Sequence, residues 1–193
     1  MVAEAAMLAG YNIAGFIDQS SKTWNTMVLG IPVLGDESIL ESSQFADCDL
    51  IIAIGDNECR ALAVQRLSSR DQGFATIVHP SAVISPSAAL GEGTVVLAGA
   101  VLNSMVRVGA HCIVNTMVSI DHDCSLADFV HISPGVHLAG DCHIGEVVHI
   151  GIGACMLPGL SVGARSTIGA GSVVTTDIPG DAVAMGVPAK VKS

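Results

Sequence analysis

The stretch "SIDHDC", residues 119–124, sets His122 between Asp121 and Asp123 in surroundings otherwise built from small apolar residues. An imidazole withdrawn from water beside carboxylates is costly unless the groups pair, so the trio is either a satisfied structural knot or a poised base. An adjacent carboxylate suits the second role. By accepting a hydrogen bond from one ring nitrogen it fixes the tautomer and raises the basicity of the other, as a general base requires. Downstream, His131, His137, His143 and His149 recur every six residues, which invites a metal-site reading. No carboxylate or thiol completes a tetrahedral set at matching phase, and repetition alone generates such a row, so no metal is expected.

The framework that positions these residues is itself a repeat. From Ile84 the chain divides into consecutive hexads, beginning ISPSAA, LGEGTV, VLAGAV and running on to VTTDIP. The first residue of each is Ile, Leu, Val or Met, the fifth is small or aliphatic, and glycine is frequent at the second. Hexads of this kind build a β-helix in which three short strands make one coil and residues eighteen apart stack on neighbouring coils. His131 and His149 then stack one coil apart. Cys112, Cys124 and Cys142 fall at the inward fifth position, where a small hydrophobe is wanted. With Cys48, Cys59 and Cys155 they form no CxxC pair, and the thiols read as reduced. His122 falls at the third position, off the inward phases, so its ring should stand at a corner of the prism and face outward. The competing reading is a surface histidine with incidental acidic neighbours.

The first part of the chain follows α/β grammar. "VAEAAMLAG" has helix formers closed by Gly10, "NIAGFID" and "CDLIIAIG" are short strand-like runs, and "DNECRALAVQRLSSR" is an amphipathic helix opened by an Asp/Asn cap. The organisation expected is a Rossmann-like domain over residues 1–80 and a β-helix with a C-terminal tail over 81–193. Ligands of a small parallel sheet sit beyond the carboxyl ends of its strands, here near Asp18 and near Gly55, Asp56 and Asn57. After Val174 the hexads decay into Pro- and Gly-punctuated sequence, so the prism should end there and the tail fold back along its outside. A formal charge of -10 with eight cationic side chains argues against a nucleic-acid partner. There is neither a long uninterrupted apolar stretch nor a basic leader, so no membrane partner and a cytoplasmic location are expected.

"VNTMVSIDHDCSLADFVHISPGVHLAG", "GIGACMLPGLSVG" and "GVPAK" resemble the hexapeptide-repeat acyltransferases and, among them, the group of sialic-acid O-acetyltransferases and bacillosamine N-acetyltransferases. The resemblance covers essentially the whole chain. It implies a left-handed prism, acetyl-CoA as co-substrate, a nucleotide-linked 4-amino sugar as acceptor, and a homotrimer whose clefts hold the active sites. It implies His122 as proton acceptor tuned by Asp123, His131 against acetyl-CoA, Gly140 N–H on the thioester oxygen, and Ile152 and Ser161 along the pantetheine arm. Asp18, Gln19 and Gly55 match positions that hold the nucleotide. Lys190, in the "GVPAK" segment, is expected at a coenzyme phosphate, since Arg165, Lys190 and Lys192 are the only cations after Arg107. The group's opening strand and G-x-x-G-H turn precede the helix with which this sequence starts, so the first domain is expected without that strand. Alternatives are a sialic-acid or other sugar O-acetyltransferase, a γ-type carbonic anhydrase holding zinc through three histidines, and a non-catalytic hexapeptide scaffold.

Overall fold

The structure is a computed structural model that describes residues 1–70 and 72–192. From Ile77 onward the chain winds into a left-handed triangular prism whose strands are two or, at Val183–Met185, three residues long. Down the regular coils each strand pairs in parallel with the one eighteen residues later, as Ile113 does with His131 and His131 with His149. The first face runs from Ile77–Val78 through Ile113–Val114 and His131–Ile132 to Val183–Met185. The second runs from Val83–Ile84 to Val173–Val174, and the third from Ala89–Leu90 to Ser161–Val162. First-position aliphatics form columns through the core. Val96, Val114, Ile132, Ile150 and Ile168 are all 2% exposed or less. Cys112, Cys124 and Cys142 are buried among them, as their phase requires.

Each coil must turn sharply three times, and the backbone does this at the fourth position of the hexad. From Gly93 to Gly171 every fourth-position residue has a left-handed φ, whether glycine or a side-chain-bearing residue such as Met117, Asp123, Phe129 or Val147. Left-handed backbone costs an L-residue roughly 1–2 kcal/mol, and the buried columns and coil-to-coil hydrogen bonds on either side hold it. At Asp123, with φ 60°, this turn swings the carboxylate beside the preceding residue, His122.

The prism extends beyond the end expected for it. Ile178 bridges to Val162, and Val183–Met185 adds a further rung to the first face. Spacing there shortens to sixteen residues (Val162 to Ile178, Ile168 to Ala184), which hides the continuation from a strict six-residue count. The tail does not run along the outside. Lys190–Val191 returns antiparallel to Val183–Met185, and Ala189 is buried in the main core as a plug over the last coil.

Before the prism lie α1 (Val2–Leu8), β1 (Phe16–Ile17), β2 (Met27–Val28), β3 (Ile31–Gly35) and α2 (Asn57–Leu67). β3 pairs in parallel with β1 and as a hairpin with β2. Alanines on one side of α1, Ala5 and Ala6, let it seat closely on Ile77, Val95 and Leu97 of the first coils. α2 starts where Asp56 caps it, Oδ1 accepting the Cys59 N–H at 2.8 Å. "CDLIIAIG" was expected to be a strand, but only Leu50 pairs, with Phe74. Ile51 packs toward α1 and Ile52 toward Leu40 and Leu67, so the run is buried by side-chain packing with no ladder of its own among the described residues.

Candidate active site

His122 stands at the corner between the second and third faces, between the strands Ser119–Ile120 and Ser125–Leu126. Its side chain is 60% exposed, as the third-position phase predicts. The two flanking acids have different duties. Asp121 Oδ1 accepts the His122 backbone N–H at 2.9 Å and an Asn103 amide N–H at 3.1 Å, so it braces the corner. Asp123 Oδ2 lies 2.9 Å from His122 Nδ1. A carboxylate only accepts, so Nδ1 carries the proton and Nε2 presents its lone pair outward. This bond to Asp123 raises the imidazole above its ordinary pKa, with the charge of Asp121 adding to it.

Gly140 follows His122 by one coil and lies under its ring. A Cβ at position 140 would sit 2.5 Å from His122 Cε1 and 2.6 Å from Nε2, so only glycine lets the imidazole lie flat across this coil. The Gly140 carbonyl accepts from Gly159 N–H, whereas the Gly140 N–H has no acceptor among the described residues. The unpaired Gly140 donor thus belongs to the residue over which the His122 ring lies.

His131, expected against the coenzyme, sits at the junction between the first domain and the prism. Its Nδ1–H donates to the Gly55 carbonyl at 3.1 Å, and its Nε2 accepts from the Asn115 amide at 3.3 Å. The His149 ring stacks on it at 4.9 Å, 10° from parallel, one coil on as the repeat implies. Burial, reinforced by His149 and Arg60, pushes His131 down to about 4, and burial lowers His149 as well. The other members of the row bond to serines instead of converging: His137 to Ser119 at 2.7 Å and His143 to Ser125 at 2.8 Å. Among the described residues no three His, Cys, Asp or Glu side chains gather round one point.

The remaining candidates are dispersed. Ile152 is 57% exposed at the corner between the first and second faces. Ser161 lines a groove of about 450 Å³ on the third face, together with Ser125, Ala127 and His143; His122 is not part of this lining. Lys190 is exposed on the last rung, in register with Met185. Asp18 is bound into its own loop: Oδ1 accepts from Ser20 N–H at 2.8 Å, and its carbonyl accepts from Trp24 Nε1–H at 2.7 Å. Gln19 beside it is exposed. Of the first-domain candidates only Gly55 meets a prism candidate, His131.

Sequence reasoning passed over Arg60, and named Asn57 only as part of the turn expected near a ligand. Arg60 is 1% exposed, and its charge faces carbonyls in place of carboxylates. The available signal was an arginine three residues after an Asp/Asn cap in a chain with few cations.

A left-handed hexapeptide prism with a carboxylate-supported histidine at a coil corner is the architecture of the hexapeptide-repeat acyltransferases. Residues 1–67 match the PglD N-terminal domain. The structure superposes on perosamine N-acetyltransferase from Caulobacter crescentus, in complex with CoA and GDP-perosamine, with a TM-score of 0.94 and 37% identity, covering 100% of this chain and 90% of that one. On the acetyltransferase domain of PglB from Neisseria gonorrhoeae the TM-score is 0.91 at 38% identity, covering 99% of this chain and 93% of that one. UDP-N-acetylbacillosamine N-acetyltransferase of Bacillus subtilis is 44% identical over 52 residues, 27% of this chain and 24% of that protein. The stretches aligned with the first curated relatives thus span only about a quarter of their length. The chain belongs to the PglD-like hexapeptide acetyltransferases.

Proposed function

We propose that the protein transfers the acetyl group of acetyl-CoA to the amine of a nucleotide-linked 4-amino sugar, with His122 as general base. The observation that carries this reading is the outward Nε2 of an Asp123-bound imidazole lying across Gly140. His122 Nε2 takes a proton from the sugar amine as its nitrogen attacks the thioester carbonyl carbon. The oxyanion that forms accepts the Gly140 N–H. Collapse breaks the C–S bond, and the departing thiolate receives the proton from the imidazolium. The thioester is already activated and an amine is a competent nucleophile, so no acyl-enzyme on Ser or Cys is needed. The relatives solved with CoA and GDP-perosamine, and with acetyl coenzyme A, support this pairing of substrates. Asp18, Gln19 and Gly55 are proposed to hold the nucleotide, and His131, Ile152, Ser161 and Lys190 the coenzyme.

His122 is exposed at one edge of the second face, and that face supports a homotrimer. Met105, Met117, Ile152 and Leu157 expose 47%, 63%, 57% and 48% of their surface along its two corners. Closed threefold packing would cover this apolar rim and turn the His122 corner into a cleft facing a neighbour. Thiol release from acetyl-CoA, measured against UDP-, GDP- and CMP-linked amino sugars, tests the activity. Turnover with at least one, stoichiometric in acetylated amine, is expected; release no faster than with coenzyme alone across the whole panel overturns it. Light scattering at micromolar concentration should give three times the monomer mass, and a monomer would refute the shared cleft.

A further inference from the structure

Arg60 is the most completely buried charge in the described structure, and it contacts no acid. Each of its N–H groups is spoken for. Nε donates to the His111 carbonyl at 2.8 Å, Nη1 to the Ile54 and Gly55 carbonyls at 2.9 and 3.3 Å, and Nη2 to Asn57 Oδ1 at 2.7 Å and the Phe129 carbonyl at 2.8 Å. Asn57, one turn earlier on α2, uses its amide N–H groups on the carbonyls of Val147 and Val148, both at 3.0 Å. His111, Phe129 and Val147 are eighteen residues apart, all in left-handed backbone at the corner between the third and first faces. One turn of α2 thereby grips the same corner of three successive coils.

Such a grip is an expensive way to hold two domains together. A guanidinium taken out of water gains little over a well-packed apolar side chain of similar volume, and apolar contacts alone would join the surfaces. What an apolar contact lacks is direction. A planar fork with five donors fixes the Ile54 and Gly55 peptides in register with the coil corners, which a side chain sliding on a greasy surface would not do. Those peptides close the apolar run "DLIIAI", where a ligand of the first domain is expected, and Gly55 also accepts the His131 Nδ1–H.

We propose that Arg60 is a positioning residue for the nucleotide-sugar substrate. It sets the loop of residues 54–57 at a fixed offset from the prism, so that a sugar anchored by its nucleotide in the first domain presents its amine to the acetyl-transfer corner. Arg60 touches neither substrate; it acts through the Gly55 peptide. The inference rests on the proposed acetyl transfer to a nucleotide sugar.

The test is Arg60→Lys, which keeps the charge and loses the fork, with Asn57→Ala as a milder companion. Losing directed hydrogen bonds from a buried charge should raise KM for the nucleotide sugar by at least about tenfold. KM for acetyl-CoA should stay within about twofold, while kcat/KM for the nucleotide sugar falls through weaker anchoring of the nucleotide and, as the amine is displaced from the corner, a lower kcat. Equal rises in both KM values, or a kcat/KM for the sugar within about twofold of wild type, would overturn the proposal by reducing Arg60 to a residue that merely supports the fold. A second measurement does not depend on the reaction. Titration calorimetry with UDP and GDP alone, together with amide exchange, should show weaker nucleotide binding in Arg60→Lys. The Gly55, Asp56 and Asn57 amides should exchange faster while Val114 and Ile132 stay protected. Unchanged nucleotide affinity and unchanged exchange of the loop sink the proposal even if the transfer activity is confirmed. If wild-type protein acetylates none of the sugars, the functional reading fails while this measurement still decides the role of the clamp.

Discussion

Replacing Gly140 by alanine tests the geometry of the proposed site with one carbon atom. Gly140 is buried under the His122 ring and its φ lies outside the left-handed region, so alanine strains no backbone there. The three atoms nearest the new Cβ all belong to the imidazole, at 2.5, 2.6 and 3.1 Å from Cε1, Nε2 and Nδ1. Ordinary contact distances are roughly 3.5–4.0 Å, so the ring must retreat by about 1 Å. It is 60% exposed in the single chain, so the ring is free to give way. The displacement therefore breaks the 2.9 Å bond to Asp123 and leaves the coil in place. Misplacing a reacting group by about 1 Å costs around 10²-fold in rate, inside the roughly 10²–10⁴-fold worth of a general base. The backbone N–H at 140 survives the change, so the loss isolates the position of the ring. Steady-state thiol release should show kcat down by about 10²-fold, with Tm shifted by no more than a few degrees, since little buried apolar area changes. In a His122→Ala background the same substitution should cost almost nothing further. A Gly140→Ala enzyme within about threefold of wild type, or one losing an equal factor with and without His122, refutes the idea that this glycine exists to seat the base.

Four further outcomes follow from the same structure. His122→Ala should lower kcat by about 10²–10⁴-fold with the fold intact. Asp123→Asn should lose less and move the acid limb of the pH–rate profile to lower pH, because a neutral amide accepting from Nδ1–H favours the imidazolium far less than the carboxylate does; an unmoved limb would detach Asp123 from the base. Acid should destabilise the fold. His131 is held at about 4 against an ordinary 6.5, and His111 and His149 are lowered too, so between those values the unfolded chain binds the extra protons. Stability contributed by neutral His131 is complete above pH 6.5 and lost as pH falls toward 4, by at most about 3 kcal/mol because the ring is partly exposed. Urea midpoints at pH 7 and pH 5 check this, and a midpoint that rises on acidification contradicts it. Val147 is β-branched at φ 61°, a conformation that asparagine tolerates far better, so Val147→Asn should raise Tm by a few degrees, read by calorimetry.

Much of the prism was legible because its code is local. An aliphatic at one phase in six fixes which side chains enter the core, so the inward cysteines, the His131–His149 stack and the outward ring of His122 could all be placed before any coordinates. The α2 cap was readable for the same reason, since Asp56 bonds only three residues ahead. Whatever depended on distant partners was not readable. The last rung was missed because sixteen-residue spacing breaks the count while the stacking survives. The run 50–54 reads as a strand from its composition, yet a strand needs a neighbour, and composition is silent on that. Asp121 and Asp123 look equivalent by residue type; the family resemblance singled out Asp123, and the left-handed turn at residue 123 is the backbone feature that brings its carboxylate to the ring. Arg60 finds its acceptors up to 69 residues away, on carbonyls that every residue possesses, so no residue type could have announced them.

The three-coil grip of α2 also sets how the molecule should yield to force. A stack in which each coil touches only its neighbours has no global core to lose, so tension on the C-terminus strips it from the open end. Beyond Val148 the hydrogen bonds among the described residues run between adjacent coils, and every eighteen-residue coil pulled free lengthens the chain by about 60 Å. At Val147 the next coil is tied by Asn57 to α2, which Arg60 ties in turn to the corners at Phe129 and His111. Peeling must stop there until the whole clamped block gives way at once. The prism is thus a soft spring in series with a rigid block, and His122 and Gly140 both lie on the block.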